Sequence, residues 1–314
     1  MKKITTKNIF CLFTIYCCLF TVVYAGGPGT TGGIMLAQPV SARASGMGDV
    51  FTAVSDDVNA VYWNPAGLCN LSKTEFSAMY NDSLMDTAYT NLSYAKPVKL
   101  WGSAFGASIS IFDGGALAVN SPTGFTENVK AQYDYSASIA YGKKIFTKWF
   151  KQNANKWKLN FGVGFKTYSS TLAQQYTAGS LALDLGLLLQ NKSGFSAGLT
   201  VQNIGRNVVY IYDEYPLPQA TKIGAAYKFG NILHSYLAGI EAVNTIDSGT
   251  KFHLGAEYWY AKLLALRVGY KSGYDLGSVT LGAGIYVKGY QIDYAFGDMG
   301  ILGNTQKISY TMRY

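Results

Sequence analysis

Few residues in this chain carry the types and spacing that catalysis needs. Gly194-Phe195-Ser196-Ala197-Gly198 matches the G-x-S-x-G nucleophile elbow, which requires a strand-to-helix turn. Here the motif falls in a short turn and the start of a predicted strand. The only histidines, His234 and His253, are not placed by any spacing to serve Ser196 as a base. Of the four cysteines, Cys11, Cys17 and Cys18 lie in the N-terminal apolar stretch and Cys69 stands alone. With those three in a leader, no internal disulfide and no cysteine-based metal site can form, and two histidines are too few for an ordinary zinc site. Cys69 reads as a small buried apolar residue rather than a reactive thiol. No catalytic residue, metal or cofactor is assigned, and the chain is not read as an enzyme.

A second set of chemically active residues is more informative. Asp134, Lys166, Asp184, Glu241, Glu257, Arg267, Asp293 and Arg313 all fall on the face of alternating segments that otherwise carries Gly, Ala and Ser. The opposite face carries aliphatic and aromatic residues. In the last segment Ile308, Tyr310, Met312 and Tyr314 oppose Lys307, Ser309, Thr311 and Arg313, and Leu264, Leu266, Val268 and Tyr270 oppose Ala265, Arg267 and Gly269. A water-soluble sandwich would bury its apolar face and expose its charges. An all-β transmembrane antiparallel β-barrel does the reverse, with lipid outside and a polar lumen. Charges of both signs in a narrow interior predict ion-paired networks rather than a wide water channel.

The elements that must position these charges are fourteen period-two segments, at about 73–81, 87–95, 101–112, 129–142, 157–170, 175–190, 194–203, 219–230, 233–243, 251–260, 263–272, 278–287, 289–297 and 305–314. Most have the length of about ten residues that a tilted membrane strand needs, and their number is even. Composition agrees: 14% charged residues, 35 Gly and 25 Tyr against 7 Pro suit neither a disordered chain nor an ordinary soluble α/β enzyme.

Residues 1–25 read as a secretory signal peptide, with Lys2, Lys3 and Lys7 before an apolar run from Ile9 to Val23 and Ala25 at the cleavage position. Its removal takes three lysines and lowers the formal net charge from +8 to +5. The remaining lysines cluster in short turns without an aromatic platform, which favours lipid head groups over nucleic acid as a partner. Odd segments are followed by long or acidic loops and even ones by short basic turns. That parity puts the C-terminus on the periplasmic side of a bacterial outer membrane. The basic connection from Lys143 to Lys158 is either a brief amphipathic helix on the inner leaflet or an extended loop.

Residues 26–71 do not alternate. They contain Ser41-Ala42-Arg43-Ala44-Ser45-Gly46-Met47-Gly48-Asp49 and Asp56-Asp57-Val58-Asn59-Ala60-Val61-Tyr62-Trp63-Asn64-Pro65-Ala66-Gly67-Leu68, rich in small residues that permit tight backbone approach. Here the sequence resembles the PorV/PorQ group, a branch of the FadL-like outer-membrane proteins. The resemblance continues through "LDLGLLLQNKSGFSAGLTVQNIG", "PLPQATKIGAAYKFG", "GAEYW", "LRVGY" and "IDYAFG". It implies a fourteen-stranded barrel (72–314) with residues 26–71 as a hatch in the lumen. The hatch motif residues are Arg43, Gly46, Gly48, Asp56, Asp57, Asn64, Pro65 and Gly67. It also implies docking or shuttling of secreted cargo in type IX-like secretion, with secretion-system components as partners. The alternative is a FadL-like conduit for small hydrophobic molecules.

From the residues themselves, Pro65 restricts Asn64 to extended geometry, and Gly67 is expected to approach the barrel wall closely. Two external loops are longer than their geometry requires, Asp113 to Asn128 and Ile204 to Pro218. The second carries Val208, Val209, Tyr210, Ile211, Tyr212 and Tyr215. Tyr210, Tyr212 and Tyr215 are the candidate anchors for a protein partner, or else the cluster folds back to cap its own barrel or rests in lipid.

Overall fold

The structure is a computed structural model and describes residues 27, 29–83, 87–98, 102–120, 126–145, 157–275 and 277–314. Residues 1–25, read above as a signal peptide, and most of the basic Lys143–Lys158 connection lie outside the described residues. Alternating apolar and small polar residues favour extended chain with two unlike faces, and the described chain forms eighteen strands. They are β1 (Glu75–Asp82), β2 (Ala88–Val98), β3 (Ser103–Asp113), β4 (Ala116–Asn120), β5 (Thr126–Lys130), β6 (Gln132–Lys144), β7 (Trp157–Leu172), β8 (Tyr176–Asn191) and β9 (Phe195–Gly205). There follow β10 (Val208–Tyr210), β11 (Asp213–Tyr215), β12 (Ala220–Gly230), β13 (His234–Thr245), β14 (Gly249–Tyr260), β15 (Leu264–Ser272), β16 (Val279–Val287), β17 (Tyr290–Asp298) and β18 (Asn304–Arg313).

Fourteen of these close an antiparallel barrel in the order β1-β18-β17-β16-β15-β14-β13-β12-β9-β8-β7-β6-β3-β2. The remaining four make two hairpins, β4–β5 and β10–β11, within the two long loops. Strand β6 begins three residues later than the alternation suggested, because Thr126–Lys130 turns away to pair with β4. Along each barrel strand the apolar side chains face outward and stay exposed, as with Ile109, Ile139, Leu254, Leu266, Leu281 and Ile308, while polar neighbours such as Ser108, Glu257, Arg267 and Ser309 are buried. Only lipid around the ring reconciles that inversion with the hydrophobic effect.

The N-terminal segment crosses the interior of this ring. It carries a 3₁₀ turn (Ile34–Ala37), helix α1 (Ala42–Gly46), helix α2 (Ala60–Trp63) and a 3₁₀ helix (Pro65–Asn70). All are short, so tertiary packing rather than helix propensity holds them. Val40, Ala42, Ala44, Met47, Val50, Phe51, Val58, Ala60, Ala66 and Leu68 are fully buried. The core of the molecule therefore lies between this segment and the inner wall.

Candidate functional site

The inner wall receives the N-terminal segment on a belt of glycines. Ten strands adjacent in the ring turn glycines toward it, closest at Gly106 (β3), Gly142 (β6), Gly162 (β7), Gly186 (β8), Gly198 (β9), Gly224 (β12), Gly239 (β13), Gly255 (β14), Gly269 (β15) and Gly282 (β16). The segment follows them in reverse order. Leu68 and Val61 lie on Gly106, Pro65 and Ala66 on Gly142 and Gly162, Asn64 on Gly186, Thr52 and Ala53 on Gly198, Met47 and Gly48 on Gly255 and Gly269, and Gly46 on Gly282. At Gly162, Gly198, Gly255 and Gly269 a Cβ would run into backbone atoms of the segment. Glycine is needed there for close approach. Gly48 is needed twice over, since its φ is +66° and its Cα faces Leu254 O and Gly269.

Asn64 is extended, with φ −159° and ψ 102°, and its side chain caps the 3₁₀ helix by accepting from Ala66 N at 3.1 Å. Its amide nitrogen donates to Thr52 O and Leu187 O at 2.8 and 3.1 Å, tying the corner to wall and segment alike. Gly67 departs from expectation. It packs against Ser55 within the segment, because the wall contact at this corner is made by Pro65 and Ala66.

Charges fix the segment at one side of the ring. Arg43 donates through Nε and Nη2 to Glu257, at 2.9 Å each, and through Nη1 to Asp56 (2.6 Å) and Asp57 (3.0 Å). Glu257 also binds Arg267 at 2.7 Å, and Arg267 reaches Asp293 at 2.8 Å. Arg313 binds Glu75 at 3.0 Å and Gln291 at 2.7 Å. Lys166 and Asp184 pair at 2.6 Å. The remaining two of the eight predicted charges form no salt bridge among the described residues, and Asp134 Oδ1 is buried without a hydrogen-bond partner. Glu241 accepts from Phe51 N, Thr52 N and Thr52 Oγ1, and Asp134 accepts from Gln132 and Tyr168. Such donors offset part of the cost of burying a carboxylate.

Further residues of the same kind were not singled out from the sequence. Lys271 pairs with Asp49 at 3.1 Å, and Lys307 donates to Pro39 O and Ser45 Oγ. Burial would raise the Asp49 carboxyl, but Lys271 and Lys307 outweigh it and hold the group below the ordinary carboxylate value. The buried ammonium of Lys222 lies 4.5 Å from the Trp63 ring centroid and 5.6 Å from that of Tyr62, within cation–π range. The signal for Lys222 was present, since it shares the small-residue face of β12 with Gly224 and Ala226.

Between the segment and the wall of β9, β12, β13 and β14 lies a cavity of about 300 Å³ at the long-loop end. Ile34, Leu36, Pro39, Tyr62 and Trp63 line it from the segment, and Ala220, Val243, Lys222, Glu241 and His253 from the wall. The bulge at Gln202 and Asn203, where β8 and β9 lose register beside Asp184, borders the same space. Gln202 donates its amide to Tyr62 O, and Asn203 donates to Pro218 O at 3.0 Å. A second cleft of about 500 Å³ opens at the short-turn end, beside Arg43, Asp56, Trp259 and Arg313. The glycine belt separates the two.

The loop carrying the three candidate anchor tyrosines folds back as the β10–β11 hairpin. Val208 is fully buried in the cluster that holds Met35, Tyr168 and Leu217, Tyr210 packs against that cluster, and Val208 and Tyr215 lie on Gly32. Gly32 N donates to Pro216 O at 2.9 Å. Only Tyr212, 92% exposed, projects freely. Ser196 lies within β9 with its hydroxyl on Ala226 O, while His234 and His253 bond Tyr258 and Tyr274. Burial pushes the Cys69 thiol up to about 11, far from the thiolate range. Among the described residues no group of three or more His, Cys, Asp or Glu is arranged to hold a metal ion.

A family model matches residues 28–210, more than half of the chain. The chain belongs to the uncharacterised protein family UPF0164. No curated protein sequence matches it. The fold is shared with solved structures. The Ralstonia pickettii toluene transporter TbuX superposes with a TM-score of 0.59 at 14% identity, over 88% of this chain and 98% of that one. The Pseudomonas putida toluene transporter TodX gives 0.54 at 14% identity over 86% and 97%. A Pseudomonas aeruginosa FadL homologue gives 0.54 at 11% over 88% and 99%. This UPF0164 member thus shares the closed fourteen-stranded barrel fold of those proteins.

Proposed function

We propose that this protein is a non-enzymatic conduit of the bacterial outer membrane for compact, largely apolar molecules, which bind first in the cavity between the N-terminal segment and the wall at the long-loop end. The observation that carries the reading is that cavity: about 300 Å³, walled on one side by Ile34, Leu36, Pro39, Tyr62 and Trp63. Its size is at the lower end of small-ligand pockets and suits a molecule of one or two rings better than a long chain. Barrels of the same fold that are described as toluene transporters support the reading. In this proposal residues 1–25 are the exported chain's signal peptide, residues 26–71 act as the hatch, and residues 72–314 form the transmembrane barrel.

The test is uptake of a monoaromatic probe such as toluene into proteoliposomes. Val243 faces the cavity from β13, so Val243→Trp would fill it without touching the lipid face. Uptake through the wild-type barrel should exceed that of empty liposomes, and Val243→Trp should return it to the empty level while the barrel stays folded. Equal uptake with and without the wild-type protein would remove the proposal.

The docking of secreted cargo implied by the PorV/PorQ resemblance draws its support from the external loops. Of the three anchor tyrosines only Tyr212 stands clear of the molecule's own surface. The hairpin's place over the N-terminal segment supports the conduit more than the dock.

A further inference from the structure

The outer wall holds a hollow that its sequence builds by omission. Reading across the sheet, Ala238 of β13 pairs with Ala256 of β14, with Tyr227 and Val268 on either side. One step toward the short turns, the row is Phe229, Tyr236, Tyr258 and Leu266. One step the other way, Ile240 pairs with Leu254. Two alanines amid such neighbours leave the space of two large side chains, and a cavity of about 300 Å³ lies there, bounded by Phe229, Tyr236, Tyr258, Leu266 and Val268.

Its lower edge is ordered. Phe229 and Tyr236 stack at 5.2 Å and 16°, Tyr236 and Tyr258 lie 5.0 Å apart, and His234 stacks on Tyr258 at 14° while its Nδ1 shares a 2.8 Å hydrogen bond with the Tyr258 hydroxyl. Aromatic rings of this kind mark the membrane–water boundary. The hollow thus sits just inside the leaflet at the short-turn end. The turn that joins two of its strands, Ala261–Leu263, carries Lys262, exposed and without an ion pair among the described residues.

We propose that this hollow is a binding site for one phospholipid of the periplasmic leaflet, an acyl chain lying on Ala238 and Ala256 and the phosphate at Lys262. The wall faces lipid, so an acyl chain is the occupant that shape and surroundings select. Lys262, in the turn that joins β14 to β15 and at the rim of the short-turn cleft, is the cation that would select an anionic head group there. An apolar recess bounded by stacked rings holds a chain in one place, where the rest of the wall offers a ridged surface over which lipids exchange.

The experiment is native mass spectrometry of the folded barrel released from nanodiscs of mixed phosphatidylethanolamine and phosphatidylglycerol, counting phospholipids retained per barrel. The wild type should keep one more phospholipid than Ala238→Leu/Ala256→Leu, which fills the hollow with side chains the lipid face tolerates. Ala107→Leu, at an outward position on β3, should retain as many as the wild type. Lys262→Gln should lower the ratio of retained phosphatidylglycerol to phosphatidylethanolamine. Equal retention by the wild type and the double leucine variant would overturn the site. A ratio unmoved by Lys262→Gln would overturn the head-group assignment. If the double variant fails to fold, Ala256→Leu alone gives the same reading.

Discussion

Residues 42–68 and residues 29–40 belong to one segment, yet different physics holds them. The first stretch lies backbone against backbone on the glycine belt, with Arg43 bound to Glu257 of the wall and Glu241 of the wall bound to Phe51 and Thr52. The second is held chiefly by side-chain packing of Met35 and Leu36, one backbone hydrogen bond from Gly32 to Pro216, and the Lys307 ammonium on Pro39 O; Ile34 is more than half exposed. The difference teaches which part of the lumen belongs to the wall. Local opening draws on regions held by the fewest such backbone contacts, so access to the long-loop cavity is expected through residues 29–40 and the hairpin packed on them, with the belt left in place.

The sharpest way to break the comparison is to put a side chain on the belt. At Gly162 a Cβ would meet Ala66 N and Pro65, and at Gly269 it would meet the backbone of Gly48 and Met47. Backbone cannot move aside as a rotamer can, so Gly162→Val and Gly269→Val should each prevent assembly of the folded, heat-modifiable barrel on gels. Gly164 shares β7 and faces only Asp184 and Pro65 side-chain atoms at 3.3 Å or more. Gly164→Ala should therefore fold. If Gly162→Val also folds, the belt is not what seats the segment.

Next in size is the Arg43 clamp. Removing one partner of a buried ion pair costs about 3–5 kcal/mol, because the remaining charge is left uncompensated. In Arg43→Ala, Asp57 loses its cation, whereas Glu257 keeps Arg267. The loss should fall near the lower figure, read as a shift of the urea midpoint in detergent. Arg43→Lys should recover only part of it, since one ammonium cannot span Glu257 and the Asp56/Asp57 pair as a guanidinium does.

The fourteen strands were legible because each carries its own period-two record of lipid and lumen. The eight lumen charges were legible for the same reason. Their partners were not, since alternation gives a face but no neighbour across the interior, so the Arg43–Glu257 contact could not be drawn from spacing 214 residues apart. The belt was missed although inward glycines on ten adjacent strands were in plain view, as with Gly162, Gly186 and Gly198; its meaning depends on the segment that covers it. Gly67 was assigned to the wall because a glycine permits close approach without naming to what. The β4–β5 and β10–β11 hairpins, each of short strands, left too few alternations to register.

A smaller effect separates the two stretches by pH. Asp49 is the residue that links α1 to Lys271 on the wall, and its carboxyl is held below the ordinary value by Lys271 and Lys307 against the effect of burial. A group so lowered contributes stability that is complete above its unfolded value of about 3.9 and is lost as pH falls through the folded one. Below about pH 4 the wild type should lose stability more steeply than Asp49→Asn, measured by urea midpoints from pH 6 to pH 3. Identical slopes would show that this pair contributes nothing.

The smallest effect expected is at the hairpin tip, and it bears on both readings of the external loop. Val208 has no exposed surface and Tyr210 leans on the cluster beneath it, whereas Tyr212 is 92% exposed. An exposed side chain without buried partners changes stability by within about 0.5 kcal/mol when replaced. Tyr212→Ser should thus leave the urea midpoint unmoved, while Val208→Ser, which puts a hydroxyl among Met35, Tyr168 and Leu217, should lower it and hasten protease cleavage of residues 29–40. Of the three anchor tyrosines, Tyr212 is the one a docking partner can grip most fully without first prising the hairpin from the barrel, with Ile211 exposed beside it. Cargo capture abolished by Tyr212→Ser at unchanged stability would argue for docking. Unchanged capture, together with faster aromatic uptake in Val208→Ser, would assign the hairpin to holding residues 29–40 over the lumen.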